Sequence, residues 1–324
     1  MVLCIDYITK KYYNQYENRV FLHIFRKGEA ILHKFEKVVD GIYVLKIPFS
    51  VVWTGVILVT GEKNFLIDSG SEPPEKYLIP ALDEMGMSLD EIDWLLNTHC
   101  HGDHITGHHD LVNKYGLKVA TFEGGAGALT DPASNAVRIR TKFPEHSPAP
   151  QSWLRGVVPT KLLADGEILE GRLQVIHTPG HDHDCVCWYD IPTKTIITGD
   201  SLQGNGTPTQ GIGFYQSLSE YLSALDKLAS VEIDNIILGH DYDGIGGVVL
   251  GKENSREALL YCGKMVVRYG ELVRQYLGAG MTDPAEMATR MINEVGCGMP
   301  EKLFLALYTV TNHINEIKND FERK

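Results

Sequence analysis

Between His99 and His104 the chain reads His-Cys-His-Gly-Asp-His, three imidazoles and a carboxylate directly after the apolar run WLLNT. Imidazole and carboxylate are the donor types that borderline divalent ions such as zinc accept. In an extended chain alternate side chains point to one side, so His99 and His101 can reach the same ion. Asp103 and His104 follow a turn at Gly102 and can face a second ion. A lone histidine is more often a packing or surface residue, but this density at a strand end is not explained by packing. Three later segments repeat the arrangement of an apolar strand ending in a donor. LQVIHTPGH presents His181, TIITGD presents Asp200 and NIILGH presents His240. Several such strand ends can converge on one sheet edge and hold a multi-donor metal site.

The elements that must carry these donors are legible from composition. RVFLHIF, GIYVLKI, VVWTGVILVT and NFLID are rich in β-branched and aromatic residues and read as strands. A helix follows the paired prolines Pro73 and Pro74, with Leu78, Leu82 and Met85 at helical spacing. From Thr121 to about Pro159 the pattern weakens, and the Gly, Pro and Ser content predicts a long lid or binding loop. CVCWYD joins the three donor-bearing strands, with a helix over about Ser217 to Leu228. After about Glu253 only helices are expected. Leu259, Cys262, Tyr269, Leu272 and Tyr276 form one stripe; Asp283-Pro284 reads as an N-cap with proline at the first helical position. Leu303, Leu307, Val310, Ile314 and Ile317 mark the last helix. The organisation expected is a mixed α/β body over residues 1–252, with an N-terminal strand extension, and a helical unit over 253–324.

Bulk properties narrow the function classes. Thirty Lys+Arg against 42 Asp+Glu give a formal charge of −12, without a basic run. That argues against a nucleic-acid partner, which needs an electropositive face. No stretch approaches the roughly 20 apolar residues of a membrane span. The opening MVLCIDYITKKYYNQY lacks the apolar core of a secretory signal, so a cytoplasmic location is expected. Cys4, Cys100, Cys185, Cys187, Cys262 and Cys297 have neither zinc-ribbon spacing nor disulfide-scaffold density, and reduced, mostly buried thiols are expected. The glycine-rich segments at 124–127 and 244–247 lack the ending of a phosphate loop and read as turns.

The order FLIDSG, THCHGDH, HTPGH, TGD and the Gly239-His240 pair resembles the metallo-β-lactamase superfamily, from about Gly41 to His240. The resemblance implies a four-layer αββα sandwich with metals at one edge and a C-terminal helical appendage. Carried onto this chain, it implies that His99, His101 and His181 bind one ion, and Asp103, His104 and His240 a second. Asp200 would bridge them, and Asp68 would orient the cluster. Antibiotic-degrading members of the commonest kind place cysteine at the position of Asp200 and lack the counterpart of His104. Flavodiiron members put glutamate at the position of His101. What remains is similar to the glyoxalase II-like branch.

The resulting expectation is a hydrolase with two divalent ions, zinc first and iron or manganese next, and a bridging hydroxide as nucleophile. It would cleave an ester, thioester or lactone of a small, partly apolar substrate, with Asp103 also shuttling a proton. Trp53, Phe214 and Tyr215 are expected to line the substrate pocket. His177 is expected to support the site or pack, and His183 to reach substrate or lie on a loop surface. The alternatives are a phosphodiesterase, a mononuclear iron persulfide dioxygenase and a low-turnover metal-containing sensor. No membrane partner is expected, and the C-terminal helices offer a surface for a homodimer.

Overall fold

Apolar residues alternate between two buried faces along almost every strand, and that alternation dictates a layered molecule. The computed structural model describes residues 33–300 and 302–322. The strand expected over RVFLHIF, together with Cys4 and His23, lies outside the described residues. Residues 34–324 form one compact unit.

The first sheet has seven strands in sequence order: β1 (Glu36–Val39), β2 (Ile42–Phe49), β3 (Val52–Val59), β4 (Phe65–Ile67), β5 (Trp94–Leu96), β6 (Val119–Phe122) and β7 (Lys161–Leu163). Pairing is antiparallel up to β4 and parallel from β4 to β7. The second sheet runs from β8 (Ile168–Leu169) through β9 (Leu173–His177), β10 (Val186–Asp190), β11 (Thr195–Gly199) and β12 (Asn235–Tyr242) to β13 (Gly246–Leu250). Here only β11 and β12 are parallel.

Successive side chains of a strand face opposite ways. On β2, Ile42 and Val44 enter the core between the sheets while Leu45 and Ile47 turn outward. On β10, Val186 and Trp188 point inward and Cys187 outward. The sandwich core also takes Ile57, Ile67, Ile197 and Ile237. Trp188 is fully buried, and its indole Nε1 donates to Asn97 O at 3.0 Å, so its one polar atom is satisfied.

Each outward face needs a cover. The first sheet is covered by α1 (Leu78–Glu84), α2 (Gly102–Ile105), α3 (His108–Asn113) and α4 (Ala126–Thr130), through Leu78, Leu82, Ile105, Leu111 and Leu129. The second sheet is covered by α6 (Leu218–Ala229), α7 (Lys252–Gly278), α8 (Pro284–Val295) and α9 (Phe304–Glu322). Between these groups lies α5 (Pro132–Thr141). The result is the αββα sandwich with C-terminal helices that the motifs implied. Asp283 caps α8 by accepting from Ala285 N at 3.0 Å, with Pro284 in the first turn, as its sequence indicated.

Two local expectations are corrected. The 121–159 segment is largely helical: Asp131 caps α5 by accepting from Ser134 N at 3.1 Å, and Pro132 opens the helix. The strand series does not close at His240. A turn with positive φ at Gly244 and Gly246 leads into β13, which pairs back on β12. The described cysteines are free and buried. No helix among the described residues is long and apolar enough to cross a membrane.

Candidate metal centre

The donors sit at the carboxyl ends of β4, β5, β9 and β11 and near the end of β12. β4 with β5, and β11 with β12, are parallel pairs, so their carboxyl ends bring donors from distant sequence to one edge. Such edges are where open α/β sheets place ligands.

His99, His101 and His181 each offer a nitrogen to one group, and Asp103, His104 and His240 form another; each group's donor atoms lie within 4.8 Å of one another. Asp200 stands between them. Its Oδ1 is 3.4 Å from His104 Nε2, and its Oδ2 is 3.4 Å from both His181 Nε2 and His240 Nε2. Asp103 Oδ2 lies 3.2 Å from His240 Nε2. The seven residues singled out from sequence thus converge in space.

The outer nitrogens are held as firmly as the inner ones are gathered. His104 Nδ1 lies 2.8 Å from Asp68 Oδ2, and His240 Nδ1 2.6 Å from Trp53 O. His181 Nδ1 lies 3.1 Å from Phe214 O, and His99 Nδ1 3.1 Å from Thr98 Oγ1. His101 is turned the other way, with Nε2 3.1 Å from Asp182 Oδ2 and Nδ1 facing His181. Hydrogen bonding one ring nitrogen fixes the tautomer and leaves the other as a lone-pair donor, the usual arrangement around a bound metal.

Asp68 is placed with equal care. It accepts from Thr98 N at 2.7 Å and Thr98 Oγ1 at 2.8 Å besides meeting His104. Its backbone sits at φ 62°, a conformation costing about 1 kcal/mol or more in a non-glycine residue. Three hydrogen bonds to a buried carboxylate offset that strain. Gly239 shows how tightly the cluster closes: a Cβ there would collide with Asp200 Oδ1 and lie 2.8 Å from His104 Cε1.

Charge follows the geometry. Burial pushes His99 well below the usual imidazole range, and His181 down to about 4. Burial acts the same way on His240, but Asp200 and Asp103 overcome it and raise that imidazole to about 10. His104 is likewise raised well above the ordinary value, by Asp200, Asp103 and Asp68 against burial. The carboxylates of Asp200, Asp103 and Asp68 therefore make this a place that favours positive charge.

Two divalent ions fit this demand. His99 Nε2, His104 Nε2 and Asp200 Oδ1 are buried without a hydrogen-bond partner. A buried polar atom left unpaired costs about 1–3 kcal/mol, so three at one point call for a ligand.

The cluster forms the floor of a cavity of about 540 Å³. Its walls come from the β2–β3 turn at 49–51, from α5 and the following segment to Gln151, from 207–214, and from 299–300 with 302–305. Phe214 lines it, but Tyr215 does not. The Tyr215 ring is buried in the helical core, stacked on Tyr221 at 4.9 Å, with its hydroxyl 2.6 Å from His313 Nε2. Trp53 is also absent from the lining. Its ring packs where a side chain on Gly247 would collide with it, and it meets the site through its carbonyl oxygen instead. His177 stacks on Phe122 at 4.4 Å, and His183 pairs with Asp182 outside this cavity. His108 opens α3, with Nδ1 2.8 Å from Ser69 Oγ.

Several supporting residues were not foreseen. Asp182 takes His101 on one oxygen, while the Arg138 guanidinium donates to both oxygens at 2.6 and 2.8 Å. Gln203 Nε2 donates to Asp200 O at 2.7 Å, and its Oε1 accepts from Phe214 N at 3.0 Å. Asp182 could have been suspected from its place beside His181; Gln203 carries no local signal.

A family model described as the metallo-beta-lactamase superfamily matches residues 48–240, more than half of the chain. The chain belongs to the metallo-beta-lactamase superfamily. Among relatives, Beta-lactamase-like protein 2 homolog of Drosophila melanogaster is 26% identical over 277 residues, covering 82% of this chain and 81% of its own length. Atrochrysone carboxyl ACP thioesterase of Aspergillus fumigatus is 28% identical over 177 residues, 54% of this chain; the match spans only 34% of that protein. Among solved structures, a metallo-beta-lactamase family protein of Thermus thermophilus superposes with a TM-score of 0.66 at 21% identity, covering 88% of this chain and 95% of that one. That likeness is one of fold.

Proposed function

We propose that the chain is a dinuclear-metal hydrolase that cleaves an ester, thioester or lactone of a small, partly apolar substrate. The observation that carries this reading is the set of inward-facing donors with three buried atoms lacking any partner. His99, His101 and His181 would hold one ion, Asp103, His104 and His240 the other, and Asp200 would serve both. Bound there, two divalent ions, zinc by preference of the donor set, supply an ionised water near neutral pH and Lewis acidity toward a carbonyl.

The side chains do the positioning. Asp68 and Asp182 hold His104 and His101 in the required tautomers. The carboxylate of Asp103 lines the cavity, where it can take a proton from the nucleophile and return it to the leaving atom. Phe214, Ile139 and Phe304 give the cavity apolar walls, which exclude water and suit an apolar acyl or alcohol portion. The presence of a full second donor group, Asp103 with His104 and His240, favours two ions over the single iron of an oxygenase.

The test is hydrolysis of a panel of aryl esters, acyl thioesters, lactones and a phosphodiester, before and after chelation and with zinc restored. Cleavage of an ester-type bond that chelator abolishes and zinc restores is expected. Cleavage confined to the phosphodiester, or activity indifferent to chelation, would overturn the proposal.

A further inference from the structure

Arg140 stands in the cavity wall, on the last turn of α5, without the partner that a guanidinium of its burial normally has. Nη1 donates to Ala136 O of the same helix at 3.1 Å, and Nη2 to Gln151 Oε1 at 3.3 Å. Nε is buried and makes no hydrogen bond. Among the described residues no carboxylate lies within ion-pair distance of it. Its neighbour on the helix, Arg138, shows the contrast, since both oxygens of Asp182 meet that guanidinium.

Arg140 is also close to the metal-binding run. Gln151, which it holds, packs so tightly on Gly102 that a Cβ there would lie 2.7 Å from Gln151 Oε1. One side chain therefore separates the guanidinium from the backbone between His101 and Asp103. Burial lowers the Arg140 pKa from its ordinary value, and the field of Asp103 acts in the opposite direction. On its other side the guanidinium lies 5.8 Å from the Phe304 ring centroid, an apolar and aromatic wall.

We propose that Arg140 binds a carboxylate carried by the substrate, so that the molecule cleaved is a monoanionic ester or thioester with an apolar body. The inference rests on the reading of this cavity as the hydrolytic site. A guanidinium has five N–H donors in a planar fork that matches a carboxylate, and two of its contacts here are to neutral oxygens. A carboxylate would satisfy the remaining donors and neutralise the charge. One guanidinium matches a monoanion. A phosphate dianion would call for more, and the other lysine or arginine in the lining, Lys302, is exposed. The carboxylate would sit within a few bonds of the scissile carbonyl, with the apolar portion against Phe214, Phe304 and Ile139.

The experiment reads binding, so it needs no turnover. Calorimetry would compare 4-phenylbutanoate, 4-phenylbutanamide and phenethyl phosphate on the protein as isolated and on Arg140→Met and Arg140→Lys. Metal content and circular dichroism of each protein would be measured alongside. The wild type is expected to bind the acid about tenfold or more tighter than the amide, the worth of one charge-assisted pair. In Arg140→Met that ratio is expected to collapse toward the value set by metal contacts alone, with metal content unchanged. Arg140→Lys should keep part of it, because it retains charge without the fork. Equal binding of acid and amide by the wild type, or an unchanged ratio in Arg140→Met, would overturn the proposal. Tighter binding of the phosphate than of the acid would overturn the carboxylate assignment. Loss of the hydrolase reading shows separately, as a chain that binds the acid through Arg140 but cleaves no ester.

Discussion

The floor and the wall of the cavity are built on different principles. The floor consists of side chains anchored at strand ends and fixed by hydrogen bonds on their outer atoms, as with His240 on Trp53 O and His104 on Asp68. The wall consists of helix and loop residues such as Ile139, Phe214 and Phe304, joined by apolar contact in a small cluster of their own. Strand ends set in a packed sandwich resist displacement, so the floor suits chemistry that needs donors held to fractions of an ångström. Apolar walls tolerate exchange of shape at lower cost, so they suit the choice of substrate. On the proposed function, reaction class would be set by the floor and substrate identity by the wall.

Substitutions in the floor should have the largest effects. Asp200→Ala removes the one carboxylate that touches donors of both groups, and steady-state kinetics should record a loss of ~10³-fold or more in kcat, the several kcal/mol that metal-ion chemistry supplies. Circular dichroism of that variant should stay native-like; retained activity would break the distinction between floor and wall. Asp182→Asn is the next step down. It spares every proposed ligand but weakens the hold on His101 and leaves Arg138 without its countercharge. Competition with a chromophoric chelator should show metal affinity reduced about 10- to 100-fold, as for other outer partners of metal-binding histidines. Unchanged affinity would mean that Asp182 serves only its ion pair with Arg138.

The smallest effect is expected just behind the wall. Tyr215→Phe deletes the hydroxyl that meets His313 and leaves a neighbour of Phe214 otherwise intact. Denaturant unfolding should record a loss of about 1 kcal/mol, with KM unchanged. A raised KM would return Tyr215 to the pocket and sharpen the border of the wall.

The same border explains what could be read in the sequence. The floor was legible because its donors are clustered locally, His99 to His104, or follow recognisable strand ends, as His181, Asp200 and His240 do. The strands were legible from their β-branched and aromatic content, and the sandwich from the order of motifs between FLIDSG and the Gly239-His240 pair, which resembles the superfamily. The wall was not, because its residues come from separate stretches that meet only in three dimensions. α5 was hidden within a Gly- and Pro-rich stretch, although Asp131-Pro132 is the same start signal that Asp283-Pro284 gives for α8. β13 was masked by the glycines of the turn before it. Tyr215 and Phe214 are adjacent aromatics in one loop, and nothing local in the sequence marks Tyr215 as the one that meets Tyr221 and His313 in the helical core.

The most direct test of the central claim is the metal content of the isolated protein, measured by mass spectrometry together with oxygen uptake. About two ions of zinc, iron or manganese per chain, with no oxygen consumption during turnover, is the result predicted for the two donor groups. A single iron per chain, with oxygen consumed, would contradict it.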